Sequence, residues 1–175
     1  MTFVKHTTPP RHLPAYKLGV RDLLLEDLDT ALKRDPAARG RLEVALTYPG
    51  VHALWAHRLS NRFWVNGFKM IARLIQEFAR LITGVDIHPA ATIGRRLFID
   101  HATGVVIGET AVVGEDCLIF HGVTLGGQSM NKGKRHPTLG NEVMVGAGAK
   151  ILGAINIGDG AKIGANAVVL SLIHI

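Results

Sequence analysis

A single cysteine, Cys117, serves the whole 175-residue chain, so no internal disulfide can form and the composition suits a reducing compartment. Long uncharged apolar runs are missing too, which leaves no segment able to span a bilayer. Met1 to Pro14 carries charges and prolines where a secretory leader would carry an apolar stretch. The expected setting is therefore cytoplasmic, with no membrane partner. Also absent are Gly-rich phosphate loops, zinc-finger spacings and basic stretches interleaved with aromatics. The net charge of +6 and pI near 9.8 thus do not read as a nucleic-acid footprint, and a phosphate-rich cofactor accounts for them equally well. With 47% apolar and 19% charged residues, the chain is not a disordered tail.

What is present is a beat of six. From Leu139 one aliphatic residue recurs at every sixth position: Val145, Ile151, Ile157, Ile163 and Val169. Upstream the same spacing joins Ile87 to Ile93, and then Ile107, Val113, Ile119 and Leu125. Six matches neither the helical period of 3.6 nor the strand period of 2, and it predicts a coiled stack of short parallel strands. Glycine directly follows most of these positions (Gly94, Gly108, Gly114, Gly126, Gly140, Gly146, Gly158, Gly164), which reads as corners with dihedrals that a side chain would forbid. Four places after the aliphatic residue stands, in most units, a small or β-branched one, among them Ala91, Ala111, Cys117, Val123 and Ala149. Cys117 is thereby a compact apolar filler. The predicted class is α+β: an N-terminal helical domain over residues 1–84, with 1–14 extended or disordered, then a left-handed parallel β-helix of hexapeptide repeats over 85–175.

The helical part divides at Pro36 and Gly67. One helix is expected over Ala15–Lys33, with Asp22, Glu26, Asp27 and Asp29 on its polar side, then others over 39–47, 51–63 and 67–82. In the last, Met70, Ile71, Leu74, Ile75, Phe78, Leu81 and Ile82 share one face, expected to pack on neighbouring helices or to serve assembly.

Departures from a regular repeat are where side chains can be aimed outward. The frame slips twice: Ile93 to Ile107 and Leu125 to Leu139 each span 14 residues, where two hexads take 12. The first slip holds Asp100-His101-Ala102-Thr103-Gly104, with His101 in a slot where the downstream frame calls for an aliphatic residue. The second, 126–138, carries Lys132, Lys134, Arg135 and His136 and reads as an extruded loop. Histidine accepts a hydroxyl proton near neutral pH, and a carboxylate on its other nitrogen fixes the tautomer. His121, His88, His52 and His57 show no such anomaly and read as ordinary surface or core residues. A zinc site needs three converging ligands. His101, His121 and His136 are 20 and 15 residues apart, not multiples of an 18-residue coil, so no shared face and no metal are expected.

The stretches Val85-Asp86-Ile87-His88-Pro89, Asp100-His101-Ala102-Thr103-Gly104, Gly108-Glu109-Thr110, Val123-Thr124-Leu125-Gly126-Gly127, Arg135-His136-Pro137 and Val145-Gly146-Ala147-Gly148-Ala149, with Arg34-Asp35-Pro36-Ala37 and Tyr48-Pro49-Gly50-Val51-His52 upstream, resemble the bacterial serine O-acetyltransferases. That resemblance implies transfer of acetyl from acetyl-CoA to the hydroxyl of L-serine, for cysteine biosynthesis. It implies His101 as general base, Asp86 as its orienting carboxylate and His136 as a second active-site histidine. Asp35, Asp100, Arg135 and His136 would hold serine, and Gly127, Ala147, Lys162 and Ala165 would line the acetyl-CoA arm. It also implies a homo-oligomer, a trimer or a dimer of trimers, with sites between adjacent β-helices. An acetyltransferase acting on a sugar hydroxyl, a catalytically silent scaffold and, more remotely, a β-helix carbonic anhydrase are the competing readings. The family normally continues past Leu170 with a closing hexad and a flexible tail that docks into O-acetylserine sulfhydrylase. Here Ser171-Leu172-Ile173-His174-Ile175 follows, which reads as a truncation that shortens the acetyl-CoA wall and puts the sulfhydrylase partner in question.

Overall fold

The computed structural model describes residues 19–170. The expectations for 1–14, for a helix start at Ala15 and for 171–175 lie outside them. Four helices come first: α1 Val20–Arg34, α2 Arg41–Thr47, α3 Pro49–Val65 and α4 Lys69–Thr83. Pro49 opens α3, where its missing N–H costs nothing. Gly84 closes α4 at φ 68°, a left-handed cap that favours glycine.

Two expectations about the helices change. Asp27 is not on the solvent side of α1: it is buried and accepts from Arg58 Nη2 at 2.5 Å and Nε at 2.7 Å. Burial pushes its carboxyl up, against the pull of Arg58. Nor do the other described helices cover the large apolar face of α4. α4 packs through the smaller set Ala72, Gln76, Ala79 and Thr83, while Met70, Ile71, Leu74, Phe78, Leu81 and Ile82 stay exposed.

Thirteen short strands follow among the described residues. β1 Asp86–Ile87, β4 Val106–Ile107, β7 Thr124–Gly126, β10 Lys150–Leu152 and β13 Val168–Leu170 form one parallel sheet. β2 Thr92–Ile93, β5 Val112–Val113, β8 Thr138–Leu139 and β11 Asn156–Ile157 form the second. β3 Phe98–Asp100, β6 Leu118–Phe120, β9 Met144–Val145 and β12 Lys162–Ile163 form the third. Successive strands visit the three faces in turn, so the sheets are the walls of a triangular prism. This is the expected helical part followed by a left-handed parallel β-helix. The aliphatic hexad residues and the small ones, Cys117 included, fill one continuous core that Ala53 and Leu54 of α3 join. A second cluster, Leu28, Ala31, Val44, Val51 and Phe98, seals α1–α3 against the prism.

The hexad glycines have a different cause from the one expected. None of those after the aliphatic positions has a left-handed φ. At Gly94 and Gly114 neighbouring coils touch: a Cβ on Gly94 would stand 2.4 Å from the Gly114 carbonyl oxygen, and one on Gly114 2.3 Å from that of Gly140; Gly108 instead faces the His136 ring, and Gly158 and Gly164 face open space. The left-handed corners fall elsewhere, on Arg96, Asp116, Glu142 and Gly160 along one edge and on His101, Ala102, Gly104, Gly122, Gly148 and Asn166 along another.

The first slip also resolves differently. Ile99, six residues after Ile93, continues the upstream frame, is buried and pairs with Ile119. His101 therefore displaces no core residue. The two extra residues fall between Ile99 and Ile107, so the first coil takes 20 residues, as the register Ile87↔Ile107 shows.

His57 on α3 is buried, with Nε2 3.1 Å from the Ala91 carbonyl oxygen. Desolvation, then Arg58, pushes its folded pKa down to about 4 from an ordinary 6.5. Between those values the unfolded chain binds the proton and the folded one does not, so stability falls as pH drops through this window. Chemical denaturation from pH 7 to pH 4 should show a loss of about 3 kcal/mol from this group. In His57→Gln that part of the slope should vanish.

Candidate active site

The edge between the β3 and β1 sheets is built by turns stacked coil upon coil. His101 stands at its top, with φ 57°, followed by Ala102 at φ 55°. Two consecutive non-glycine residues in the left-handed region are costly, and they project the imidazole outward, 72% exposed. Asp100 Oδ2 lies 3.7 Å from His101 Nε2, too long for a hydrogen bond. The helical part brings Asp35, just past α1, to the same edge. Its carboxylate accepts from Tyr48 Oη at 2.6 Å and from the Ala37 N–H at 2.8 Å. Those hydrogen bonds, Tyr48's first, hold its carboxyl below the usual range, and the His101 charge acts in the same direction.

His121, set aside on sequence, belongs to this edge. Its ring meets His101's at 5.7 Å between centroids and 77° between planes. The assumption of an 18-residue coil failed here: the first coil takes 20 residues, so position 121 falls one coil beyond position 101. Ile99 in the upstream frame was the available signal. Among the described residues no three His, Cys, Asp or Glu side chains converge as a metal-binding group. Further along the edge come Ala147 and Ala165, whose coils are joined by Asn166 N–H donating to the Ala147 carbonyl at 2.8 Å. His101, His121, Ala147 and Ala165 thus form one column parallel to the prism axis.

His136 and Arg135 stand at a different edge, between the β1 and β2 sheets, at the end of the extruded loop. Thr110 organises them. Its Oγ1 accepts the N–H groups of Arg135 and His136 at 3.0 and 3.1 Å, and lies 2.8 Å from His136 Nδ1. The Thr110 N–H also donates to Nδ1, at 3.2 Å. An acceptor Nδ1 leaves the proton on Nε2, so the ring is a neutral donor. Burial, then Arg135 and Lys134, lowers its pKa and keeps it neutral. Glu109 pairs with Arg135, and Lys134 Nζ donates to the Thr110 carbonyl at 2.7 Å. Burial pulls that lysine down to about 8. Gly127 adjoins this edge, where a Cβ would lie 3.3 Å from His136 Nε2. Lys162 projects from the exposed face of β12.

The structure therefore brings Asp35, Asp100, His101 and His121 together and places Arg135 and His136 at another edge of the same chain. Asp86, on the outer face of β1, has its carboxylate 3.6 Å from Arg80 Nη1 of α4.

Residues 136–171 match the model for the bacterial transferase hexapeptide (six repeats). The chain is 62% identical to the serine acetyltransferase of Mycobacterium tuberculosis over 82% of its own length and 63% of that protein. It is also 62% identical to the serine acetyltransferase of Helicobacter pylori strain 26695, over 82% of its length and 84% of that protein. Among solved structures it resembles Neisseria gonorrhoeae serine acetyltransferase in complex with serine, with TM-score 0.82 and 46% identity over 88% of this chain and 64% of that one. It likewise resembles Entamoeba histolytica serine acetyltransferase isoform 3 in complex with cysteine, with TM-score 0.81 and 42% identity over 89% of this chain and 59% of that one. The chain thus spans somewhat under two thirds of several of its relatives.

Proposed function

This chain belongs to the serine acetyltransferase family, and from that membership we propose that it transfers the acetyl group of acetyl-CoA to the hydroxyl of L-serine. The observation that carries the reading is an outward-pointing imidazole, His101, flanked by the carboxylates of Asp35 and Asp100. Two anions beside a base suit an acceptor with an ammonium group next to its hydroxyl, which favours an amino acid over a sugar.

In this reading His101 takes the serine hydroxyl proton as the oxygen attacks the thioester carbonyl. The tetrahedral intermediate collapses, the C–S bond breaks, and the imidazolium returns its proton to the departing thiolate. Asp35 and Asp100 hold the ammonium, and Arg135 receives the carboxylate as a guanidinium fork does well. The acyl carrier lies along the column of Ala147 and Ala165, where small side chains allow close approach. Gly127 and Lys162 flank it. His121, one coil toward the carrier from His101, is placed to donate to the oxyanion. Asp86 is assigned to orient His101, once released from Arg80.

Arg135 and His136 occupy another edge, so a complete site needs the first edge of one chain against the second edge of its neighbour. A homo-oligomer follows, with the uncovered apolar face of α4 as further surface for contact between copies. The single buried Cys117, whose thiol burial pushes up to about 11, suits a reducing cytoplasm.

The test is thiol release from acetyl-CoA. L-serine should support it and amino sugars or galactosides should not; a sugar that outperforms serine overturns the acceptor assignment. Asp86 and Asp100 separate in the same assay. Asp86→Asn should lower kcat with little change in serine KM, and Asp100→Asn should chiefly raise serine KM. Reversed effects would exchange their roles.

A further inference from the structure

Tyr48 lies where α2 ends and α3 begins, and three contacts bring its hydroxyl to the acceptor edge. The first turn of α3 is pressed onto the prism at Gly50: a Cβ there would stand 2.2 Å from the Ile99 carbonyl oxygen, two residues before His101. The end of α1 is fixed by Arg34 Nη2 donating to the Asp116 carbonyl at 2.8 Å. Farther back on α1, Glu26 pairs with Arg95 at 2.5 Å. Between these two anchored segments the Tyr48 Oη–Asp35 Oδ2 hydrogen bond closes at 2.6 Å. The Ala37 N–H takes the other oxygen of the carboxylate.

The phenol is a half-buried neutral donor to the Asp35 carboxylate. Asp35's hydrogen bond, burial and the charges of Asp35, Glu43 and Asp100 push its pKa up to about 12, so it stays protonated and donating throughout the neutral range. Asp35 itself is only partly buried, on the short stretch between α1 and α2, and without the phenol its carboxylate would keep a single backbone donor and be free to turn about χ1 and χ2.

We propose that Tyr48 is a positioning residue for the acceptor: it fixes the rotamer of Asp35 so that the free lone pairs of the carboxylate face the acceptor ammonium beside His101. The inference rests on the reaction proposed above. It adds a residue that touches neither the reacting atoms nor the acyl carrier and that sets how strongly an amino-acid acceptor is held.

Tyr48→Phe removes one oxygen and keeps the ring in its packing. The expected result is a rise of about tenfold in the KM for L-serine, the scale of one charge-assisted hydrogen bond. kcat, the KM for acetyl-CoA and the melting temperature should stay nearly unchanged. Asp35→Asn should raise the serine KM further, and the double variant Tyr48→Phe/Asp35→Asn should match Asp35→Asn alone, because the phenol acts only through that carboxylate. An unchanged serine KM in Tyr48→Phe overturns the proposal. So does a double variant whose effect is the product of the two single effects, or a loss spread equally over kcat and both KM values with a lower melting temperature. If the unsubstituted protein releases no thiol with serine, the proposed reaction falls and this inference falls with it, an outcome seen before any variant is made.

Discussion

An equimolar mixture of His101→Ala and His136→Ala chains, unfolded and refolded together, should regain acetyl transfer that neither variant shows alone. With His101 as the proposed general base, its removal should cost on the order of 10²- to 10⁴-fold, and His136→Ala removes a neutral donor from what is proposed to be the other half of the site. His101 stands at the edge between the β3 and β1 sheets and His136 at the edge between the β1 and β2 sheets. In the proposed assembly each complete site draws one histidine from each of two neighbours. In a closed ring of randomly mixed chains, about one site in four combines an intact His101 edge with an intact His136 edge. Recovery near a quarter of the unsubstituted rate is the expected outcome. Refolded mixtures that stay as inactive as the separate variants would mean that both histidines serve sites within one chain, and the composite site would have to be abandoned.

The second large effect is expected from the smallest substitution. Gly108→Ala places a Cβ 2.0 Å from His136 Nε2 and 2.1 Å from Cδ2. Gly108 has no left-handed φ, so the backbone accepts alanine and the whole conflict falls on the imidazole. The ring must leave its place over Gly108, and both bonds that Thr110 makes to Nδ1 are lost with it. A displacement of about 1 Å at an aligned group can cost about 10²-fold. A loss of that size in kcat/KM for serine is expected, with His101 untouched. Full activity in Gly108→Ala would mean that the position of the His136 ring is unimportant for catalysis.

The two effects depend on features of unequal visibility in the sequence. The hexad beat fixes which side chains face inward, because a period of six on a three-sided prism returns the same position to every wall. That made the core and both irregular segments legible. The length of each coil was not legible, since it depends on where extra residues are inserted. Ile99 decides this by keeping the upstream frame, and overlooking it hid the approach of His121 to His101. The glycines after the aliphatic positions were found but misread: none has a left-handed φ, and at Gly94 and Gly114 it is contact between coils that leaves no room for a side chain. Helix periodicity marked the apolar face of α4 correctly, yet a single chain's pattern does not say whether that face meets its own helices or a copy. The Asp27–Arg58 pair was invisible because acidic residues on a surface helix look alike until a buried guanidinium arrives from 31 positions away. The carboxylate closest to His101 is its own neighbour Asp100, whereas Asp86 reaches Arg80; resemblance names residues and leaves their resting partners open.

The column from His101 to Ala165 also works as a ruler. Neighbouring strands lie about 4.8 Å apart, so its four levels measure roughly 14 Å along the prism. A donor whose reactive carbon must arrive at the top while the rest of it is gripped lower down needs a slender tether of about that reach. A compact activated acetyl compound, an acyl phosphate for instance, would find the base but nothing to hold it there. In the proposed reaction, the spacing of these four levels thereby favours a long-armed acyl donor over a compact one.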